Sequence, residues 1–265
     1  MTPPADATRP VDPPRRRRPV GAFRARRWTV EVLLFAIALV AYQLSRTIVI
    51  GDARDAAKNA WEIIGFEKAY GIFFESDVQR WMLDHLPVTQ FLNHFYVWAH
   101  LPVTALFFVW LYRHHKDVYP FVRNAFFVAN AAALAVFVVF PVAPPRLMTG
   151  EGFVDTLSII SGIDLHAGNL SGWFNPFAAV PSMHFAYALM IGVVSAFLIR
   201  RWPLRLLVLT YPIVVFVTIV GTANHYVVDA LAGAVVMCSA LALTALWRRR
   251  RERTANSAAP TVCAQ

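Results

Sequence analysis

Several apolar segments of about twenty residues are the feature that most limits how this chain can fold. A helix needs about 20 consecutive apolar residues to cross the hydrocarbon core of a bilayer. The segments predict an all-α fold, a six-transmembrane helix bundle, with residues 28–247 as one membrane domain. The six predicted spans are Trp28–Ile50, Val88–Tyr112, Val118–Phe140, Phe177–Ile199, Pro203–Val220 and Tyr226–Trp247.

Basic residues cluster beside these spans. Nineteen of the twenty-five Lys and Arg lie in residues 1–27, 113–123, 200–205 and 248–265. Short basic segments favour the cytoplasmic side, so both termini are predicted to be cytoplasmic, as an even number of spans requires. Because the clusters form no continuous basic face, the net charge of +9 does not indicate a nucleic-acid partner. We expect a plasma (inner) membrane protein with a disordered basic tail at 1–27 and a basic tail at 248–265.

Two longer segments, 51–87 and 141–176, and a short turn at Gly221–Asn224 fall on the extracytoplasmic side in this topology. Residues 52–84 carry seven acids and four bases, as suits a segment outside the cytoplasm. Large apolar side chains interspersed with these charges predict interfacial amphipathic helices in the first external loop, with a folded external loop as the alternative. These apolar residues are Trp61, Ile64, Phe66, Tyr70, Phe73 and Phe74.

The sequence Pro181-Ser182-Met183-His184 opens the fourth predicted span. Proline suits the first turn of a helix, so the free N–H groups of that turn should point at the external boundary, where they favour an anion. His184 then lies beside any bound phosphate, and the Ser182 hydroxyl can donate to a phosphate oxygen. The alternative roles for a histidine at this position are a helix cap and an interface residue.

His225 and Asp229 open the sixth predicted span on the same side of the membrane. A separation of four residues places both on one helical face, and an acid inside a span persists where it is paired or functional. Asp229 can accept the proton on one ring nitrogen of His225 and so aim the other nitrogen at a substrate, as a nucleophile requires. The alternative is a buried His–Asp pair that only joins helices.

The sequence Pro141-Val142-Ala143-Pro144-Pro145-Arg146 follows the third predicted span. Its arginine is the only Lys or Arg from there to Pro176, and its forked guanidinium suits phosphate oxygens. The alternative is an arginine that meets lipid head groups. The topology brings this arginine to the same membrane face as the two histidines and the aspartate, which is the strongest argument for one active site.

Together, Pro-Ser-x-His, Gly-Thr-x-Asn-His-Tyr-x-x-Asp, Ala-Pro-Pro-Arg and six spans resemble the type-2 phosphatidate phosphatase superfamily of membrane lipid phosphatases. Within it, the chain resembles the branch related to fungal inositol phosphorylceramide synthases, over about residues 28–247. The resemblance implies a nucleophilic histidine at His225, an acidic partner at Asp229 and an acid/base histidine at His184. The substrate contacts that it implies are Arg146, Ser182 and Asn224.

The chain departs from the broad superfamily at two elements. In Lys-x6-Arg-Pro, Val139 stands at the lysine position and Leu147 at the proline position, if Arg146 is the arginine. In Ser-Arg-x5-His, this chain has Thr218 and Ile219. Two phosphate-binding cations are therefore missing, a departure that the synthase-related branch shares. Candidate replacements, each of which also suits an interfacial anchor, are Arg46, Arg54 and Lys58.

Polar side chains inside the second and third predicted spans are expected to bond helices to one another. They are Asn93, His94, His100 and Asn130.

These residues predict a lipid phosphate or diphosphate phosphatase that works through a phosphohistidine. His225 attacks phosphorus while His184 protonates the departing oxygen, and His184 then deprotonates water or an alcohol. No metal or other cofactor is expected, because the motifs offer only Asp229 as a carboxylate ligand. Expected partners are a lipid phosphate or polyprenyl diphosphate substrate and membrane lipids. The alternatives are a phosphotransferase that moves a phospho-head group to an alcohol acceptor, and a non-catalytic membrane binding protein.

Overall fold

The computed structural model describes residues 28–40, 43, 53–165 and 175–257. All regular elements in these ranges are helical, which confirms the predicted all-α fold. The chain divides into two compact units, Met1–Tyr42 and Gln43–Gln265. The first unit contains helix α1, Trp28–Val40. The predicted basic tail at residues 1–27 lies outside the described residues.

The second unit contains the remaining helices. A π-helical turn, Phe95–Ala99, joins α4 to α5, and short 3-10 turns follow α6 at Pro145–Leu147 and Thr149–Glu151. The helices are α2 (Ala53–Ala69), α3 (Glu75–Leu83), α4 (Leu86–His94), α5 (His100–His114), α6 (Tyr119–Val139), α7 (Thr156–Ser161), α8 (Met183–Leu198), α9 (Trp202–Gly221) and α10 (Val227–Ser257).

Four helical stretches in the described part of the chain are long and apolar enough to cross a membrane. They are Leu86–His114, Tyr119–Val139, Trp202–Gly221 and Val227–Thr254. Two shorter apolar helices, α1 and α8, coincide with the first and fourth predicted spans. The structure thus contains an apolar helix for each predicted span, while the count of six crossings stays a prediction.

Two helix ends differ from the predicted bounds. Helix α8 begins at Met183, close to the start that Pro181 predicts and later than the apolar segment that begins at Phe177. The residues between them form turns and bends, and Val142 pairs with Ala178 there in an isolated parallel bridge. Helix α10 continues past the predicted end of its span to Ser257. An ion pair one turn apart, from Arg248 Nε to Glu252 Oε1 at 3.0 Å, supports this extension.

Small residues let the long helices pack closely. Buried Ala125, Ala129 and Ala133 line one face of α6, which packs against α10. A Cβ added at Gly192 in α8 would lie 2.9 Å from Cδ of Pro212 in α9, so glycine permits that close approach. Small residues at such contacts are typical of helices that associate in membranes.

Helix α2 buries one face and exposes the other. Ala56, Ala60 and Ile64 pack into a cluster with Val142 and Phe153 from the segment after α6. Two large side chains of α2 outside this face are exposed: Trp61 and Phe66. Helix α2 is therefore amphipathic and packs on the bundle, while its place in an external loop and its contact with a membrane interface stay predictions.

The ends of several helices meet at one end of the second unit. The Val142 N–H donates to the Phe177 carbonyl oxygen (2.8 Å), which joins the segment after α6 to the segment before α8. The Ser182 N–H donates to the Asp229 carbonyl oxygen (2.9 Å), which joins the starts of α8 and α10. This end of the bundle contains all the predicted site residues.

Candidate active site

Ser182 caps the start of α8. Its hydroxyl oxygen accepts a hydrogen bond from the Phe185 N–H at 3.4 Å, and its own hydroxyl hydrogen can still donate. The Met183 and His184 N–H groups have no carbonyl four residues earlier within the helix. The first turn of α8 therefore presents amide donors that suit a phosphate oxygen.

Gly233 allows α10 to lie against this turn. A Cβ at that position would overlap the Ser182 carbonyl oxygen and lie 3.5 Å from the Ala186 nitrogen. These are backbone atoms, which cannot rotate away as a side chain can. A glycine is therefore required for the two helix starts to meet at this distance.

His225 lies just before α10 and is held through one ring nitrogen. Nδ1 is 3.1 Å from Asp229 Oδ2 and 3.0 Å from the Ala179 carbonyl oxygen. Since both neighbours are acceptors, Nδ1 carries the hydrogen and Nε2 keeps its lone pair. That Nε2 is buried and has no hydrogen-bond partner among the described residues. The ring is thus oriented as a nucleophile requires.

Three carboxyl groups occupy the first amides of α10. The Tyr226 N–H donates to Asp229 Oδ2 (2.9 Å), the Val227 N–H to Glu75 Oε1 (2.8 Å) and the Val228 N–H to Glu67 Oε1 (2.8 Å). All three acids are fully buried. Because these three donors are already paired with carboxyl groups, the start of α10 is less suited to a substrate phosphate than the start of α8.

Glu67 is protonated at neutral pH. Burial, and then a hydrogen bond between its carboxyl group and the Glu75 side chain, raise the pKa of Glu67 to about 9. The Glu67 carboxyl group therefore adds no negative charge beside Asp229 at the start of α10 at neutral pH.

His184 faces His225 across the site. Their ring centroids are 5.8 Å apart, and the two rings are inclined by 55°. Tyr96 stacks on the His184 ring at 4.3 Å, and His100 lies on it at 4.8 Å. Among the described residues, the His184 imidazole has ring contacts but no hydrogen bond to a carboxylate. His225 is thus held by an acid, whereas His184 is held by aromatic rings.

Arg146 and Asn224 lie beside the turn that carries His225. The Arg146 N–H donates to the Ala223 carbonyl oxygen (2.8 Å), and its nearly buried guanidinium bonds to Asp155 Oδ2 (3.3 Å). Asn224 donates to the Thr222 hydroxyl (2.8 Å), and its Oδ1 is buried without a hydrogen-bond partner in the described structure. The structure therefore gathers every predicted site residue at one helix-bundle end.

The candidate replacement cations lie elsewhere or outside the described residues. Lys58 is exposed on α2, 4.0 Å from Glu62, and Arg54 is exposed near the start of that helix. Arg46 falls in a part of the chain that the structure does not describe. Thr218 and Ile219, at the positions of the missing Ser-Arg pair, are buried. Of the three described cations, Arg54, Lys58 and Arg146, the structure brings Arg146 to the site.

Three of the polar residues inside the spans make the predicted contacts between helices. His100 Nδ1 is 3.1 Å from the Tyr211 hydroxyl. Asn130 accepts from Tyr187 at 2.5 Å, and Asn93 donates to the Thr156 carbonyl oxygen at 2.8 Å. The fourth, His94, is exposed and bonds only within its own helix, to the Gln90 carbonyl oxygen.

Three residues at the site were not predicted from the sequence: Glu67, Glu75 and Tyr96. A signal for Glu67 exists, since it follows Ala56, Ala60 and Ile64 at helical spacing and so falls on the buried face of α2. Tyr96 precedes His100 by four residues within a span, which places both on one face. Glu75 has no comparable signal, because its contact with α10 joins residues 152 positions apart.

The described residues contain no group of three or more His, Cys, Asp or Glu side chains arranged to hold a metal ion. Metal-independent catalysis stays a prediction.

The chain is similar to a known protein family and to a curated relative. The sequence model of the PAP2 superfamily matches residues 61–243. A phosphoinositol dihydroceramide synthase of Bacteroides thetaiotaomicron is 28% identical over 155 residues, which cover 53% of this chain and 50% of that protein. The chain thus matches about half the length of this curated relative. No solved structure matches the chain.

Proposed function

Because this chain belongs to the PAP2 superfamily, we propose that it is a multi-pass lipid phosphatase or phosphotransferase that works through a phosphohistidine on His225. One observation carries the proposal. The Nδ1 atom of His225 is held by Asp229, and its Nε2 is buried without a partner in the described structure. A buried nitrogen with a free lone pair, beside helix amides that suit a phosphate, fits a nucleophile that attacks phosphorus.

In the first step, His225 Nε2 forms a bond to phosphorus, and the bond from phosphorus to the leaving oxygen breaks. His184, whose ring lies 5.8 Å from that of His225, gives its proton to the leaving oxygen. Asp229 stabilises the positive charge that develops on the His225 ring. The products are the phosphorylated enzyme, a neutral alcohol and a deprotonated His184.

In the second step, His184 takes a proton from water, and the water oxygen forms a bond to phosphorus. The bond from phosphorus to His225 Nε2 breaks, which restores the free histidine. His184 recovers the proton that it lost, so the two steps leave the enzyme unchanged. Asp229 keeps Nδ1 as the donor throughout.

The phosphate oxygens would lie at the first turn of α8. The Met183 and His184 amides and the Ser182 hydroxyl supply donors there, and Arg146 supplies positive charge. The start of α10 is less suited to this role, since Glu67, Glu75 and Asp229 already accept from three of its amides.

Transfer to an alcohol is a second candidate. The relative from Bacteroides thetaiotaomicron is named a phosphoinositol dihydroceramide synthase. The His225 nucleophile is also buried, and exclusion of water favours transfer over hydrolysis. In this reaction a lipid or polyol hydroxyl replaces water in the second step. Product analysis with and without an added alcohol distinguishes the two reactions.

We place the site at the extracytoplasmic face of the plasma (inner) membrane, with both termini in the cytoplasm. The basic clusters at 113–123 and 200–205 support this orientation. A reporter that works only in the cytoplasm should be active at the C-terminus. Activity of a periplasm-specific reporter at that position would contradict the orientation.

A labelling experiment tests the mechanism. Detergent-purified protein is incubated with a 32P-labelled panel that contains phosphatidate, a polyprenyl diphosphate and p-nitrophenyl phosphate, and then quenched in base. His184→Ala should accumulate acid-labile label on His225 from p-nitrophenyl phosphate, because a good leaving group hardly needs protonation. His225→Ala should capture none. Label mapped to His184, or equal labelling of both variants, would reject the assignment.

A further inference from the structure

A third imidazole, His100, lies beside the proposed acid/base histidine. Its ring centroid is 4.8 Å from that of His184, closer than the 5.8 Å between His184 and His225. The side chain is only 2% exposed, although it belongs to a helix long enough to cross the membrane. The mechanism above assigns no role to this group.

The His100 ring is fixed by aromatic neighbours and one hydrogen bond. Nδ1 lies 3.1 Å from the Tyr211 hydroxyl of α9, and the Tyr187 ring of α8 stacks parallel to it at 5.8 Å. The π-helical turn Phe95–Ala99 immediately precedes it. Such turns occur often at functional sites, because the extra residue re-aims the side chains that follow.

The hydrogen bond to Tyr211 selects one tautomer of His100. If the tyrosine O–H donates to Nδ1, the ring hydrogen is on Nε2 and one donor remains without a partner. If Nδ1–H donates instead, the tyrosine hydrogen and the Nε2 lone pair both remain without a partner. The first arrangement leaves fewer polar groups unsatisfied, so His100 Nε2 is an N–H donor.

That Nε2 is buried and has no hydrogen-bond partner among the described residues. A buried donor normally has a partner, and the nearest chemistry is the proton exchange at His184. We propose that His100 Nε2 donates a hydrogen bond to the oxygen that leaves phosphorus and to the hydroxyl oxygen that replaces it. His100 is then a catalytic residue of the leaving and acceptor oxygen site, and Tyr211 is its positioning residue.

The role is electrostatic and needs no net proton transfer from His100. As the bond from phosphorus to the leaving oxygen breaks, charge grows on that oxygen, and a preorganised N–H stabilises it. His184 still supplies the proton, and His100 keeps its own. In the return step, the same N–H holds the incoming hydroxyl oxygen while His184 removes its proton. The inference rests on the proposed function.

Two amide substitutions separate this role from a purely structural one. In His100→Gln the amide nitrogen takes approximately the place of Nε2, so the proposed donor is kept and the contact with Tyr211 is lost. In His100→Asn the amide takes the place of Nδ1, so the contact with Tyr211 is kept and the proposed donor is lost. His94→Gln, an exposed histidine on the same long helix, is the matched control.

The full-length variants are compared in detergent with two probes. Phosphatidate has a poor leaving group, and p-nitrophenyl phosphate has a good one. His100→Asn should lower turnover of phosphatidate by about 10²-fold, as loss of one such donor does. It should lower the first-turnover burst of p-nitrophenolate by no more than about threefold, because a stable leaving group needs little help. His100→Gln should keep phosphatidate turnover within about tenfold of the parent enzyme.

If His100 has only a structural role, His100→Gln should lower turnover more than His100→Asn does. The thermal midpoint of His100→Gln would also fall, and turnover of both probes would fall equally. That pattern overturns the inference. If His225→Ala abolishes turnover and both His100 variants behave like the parent enzyme, only the role of His100 is rejected. If His225→Ala leaves turnover unchanged, the proposed function fails and the inference fails with it.

Discussion

Glu67→Gln should stabilise the folded protein against heat at neutral pH. Glu67 is fully buried, accepts a hydrogen bond from the Val228 N–H at 2.8 Å and has its pKa raised to about 9. The glutamine keeps the shape of the side chain. Its oxygen can accept from the same N–H, and its amide can donate to Glu75 as the protonated acid does. The change therefore removes only the need to hold a proton.

The expected gain follows from linkage between protonation and folding. The ordinary pKa of the glutamate side chain is 4.5, so keeping it protonated at pH 7 costs about 3 kcal/mol of folding free energy. A group whose pKa is raised on folding contributes most to folding stability below its unfolded pKa, and that stability is lost as pH rises through its folded pKa. The difference between the variant and the parent protein should be near zero at pH 4.5, grow toward pH 9 and then level off.

Thermal unfolding in detergent, followed by tryptophan fluorescence across this pH range, measures the effect. At pH 7 the midpoint of Glu67→Gln should be higher by roughly 6 to 12 °C. Glu62→Gln is the control, since Glu62 is exposed on the same helix and its pair with Lys58 spans 4.0 Å; it should change stability by less than about 0.5 kcal/mol. A lower midpoint for Glu67→Gln, or a difference that does not vary with pH, would refute the argument that Glu67 is protonated in the folded protein.

Two further substitutions test the geometry of the site. Asp229→Asn keeps an acceptor for the Tyr226 N–H but no longer favours the Nδ1–H tautomer of His225. Turnover should therefore fall by about 10² to 10⁴-fold, while the thermal midpoint stays within a few degrees. Unfolding of this variant would show instead that the His225–Asp229 pair has a structural role. Gly233→Ala introduces a Cβ against the Ser182 carbonyl oxygen, and it should cost about 1 to 3 kcal/mol of stability together with most of the activity. The same change at Gly65, where nothing lies within 4 Å, should stabilise α2 by up to about 1 kcal/mol. Equal effects at both glycines would contradict the argument that Gly233 is needed for α10 to approach the start of α8.

Local spacing and membrane topology were enough to predict the centre of the site. The four-residue separation of His225 and Asp229 predicts their contact, and the structure gives 3.1 Å, although His225 lies just before α10 instead of inside it. Pro181 and Ser182 predict a helix start in the same way. The predicted order of the spans puts Arg146 on the same side as both helix starts, and the structure brings it to the turn before His225. These inferences need only helical geometry and the order of the spans.

The remaining contacts depend on packing between distant parts of the chain. Glu75 reaches α10 across 152 residues, and nothing in a stretch of mixed charges distinguishes it from the acids around it. His100 was expected only to bond to another helix, and it does bond to Tyr211. Its distance to His184 depends on the path of two helices and on a π-helical turn. Sequence periodicity does not specify either feature.

The capping of α10 by α2 and α3 has a consequence for biosynthesis. The ribosome releases Glu67 and Glu75 early, while Val227 and Val228 leave it 152 and 161 residues later. Until then, neither acid has its backbone donor in α10, and His225 has not yet been synthesised. Addition of the last helix is therefore the event that completes the proposed site, and shorter nascent chains should be inactive. Two separately expressed halves, divided between α6 and α8, should regain activity only when they associate through these carboxyl groups.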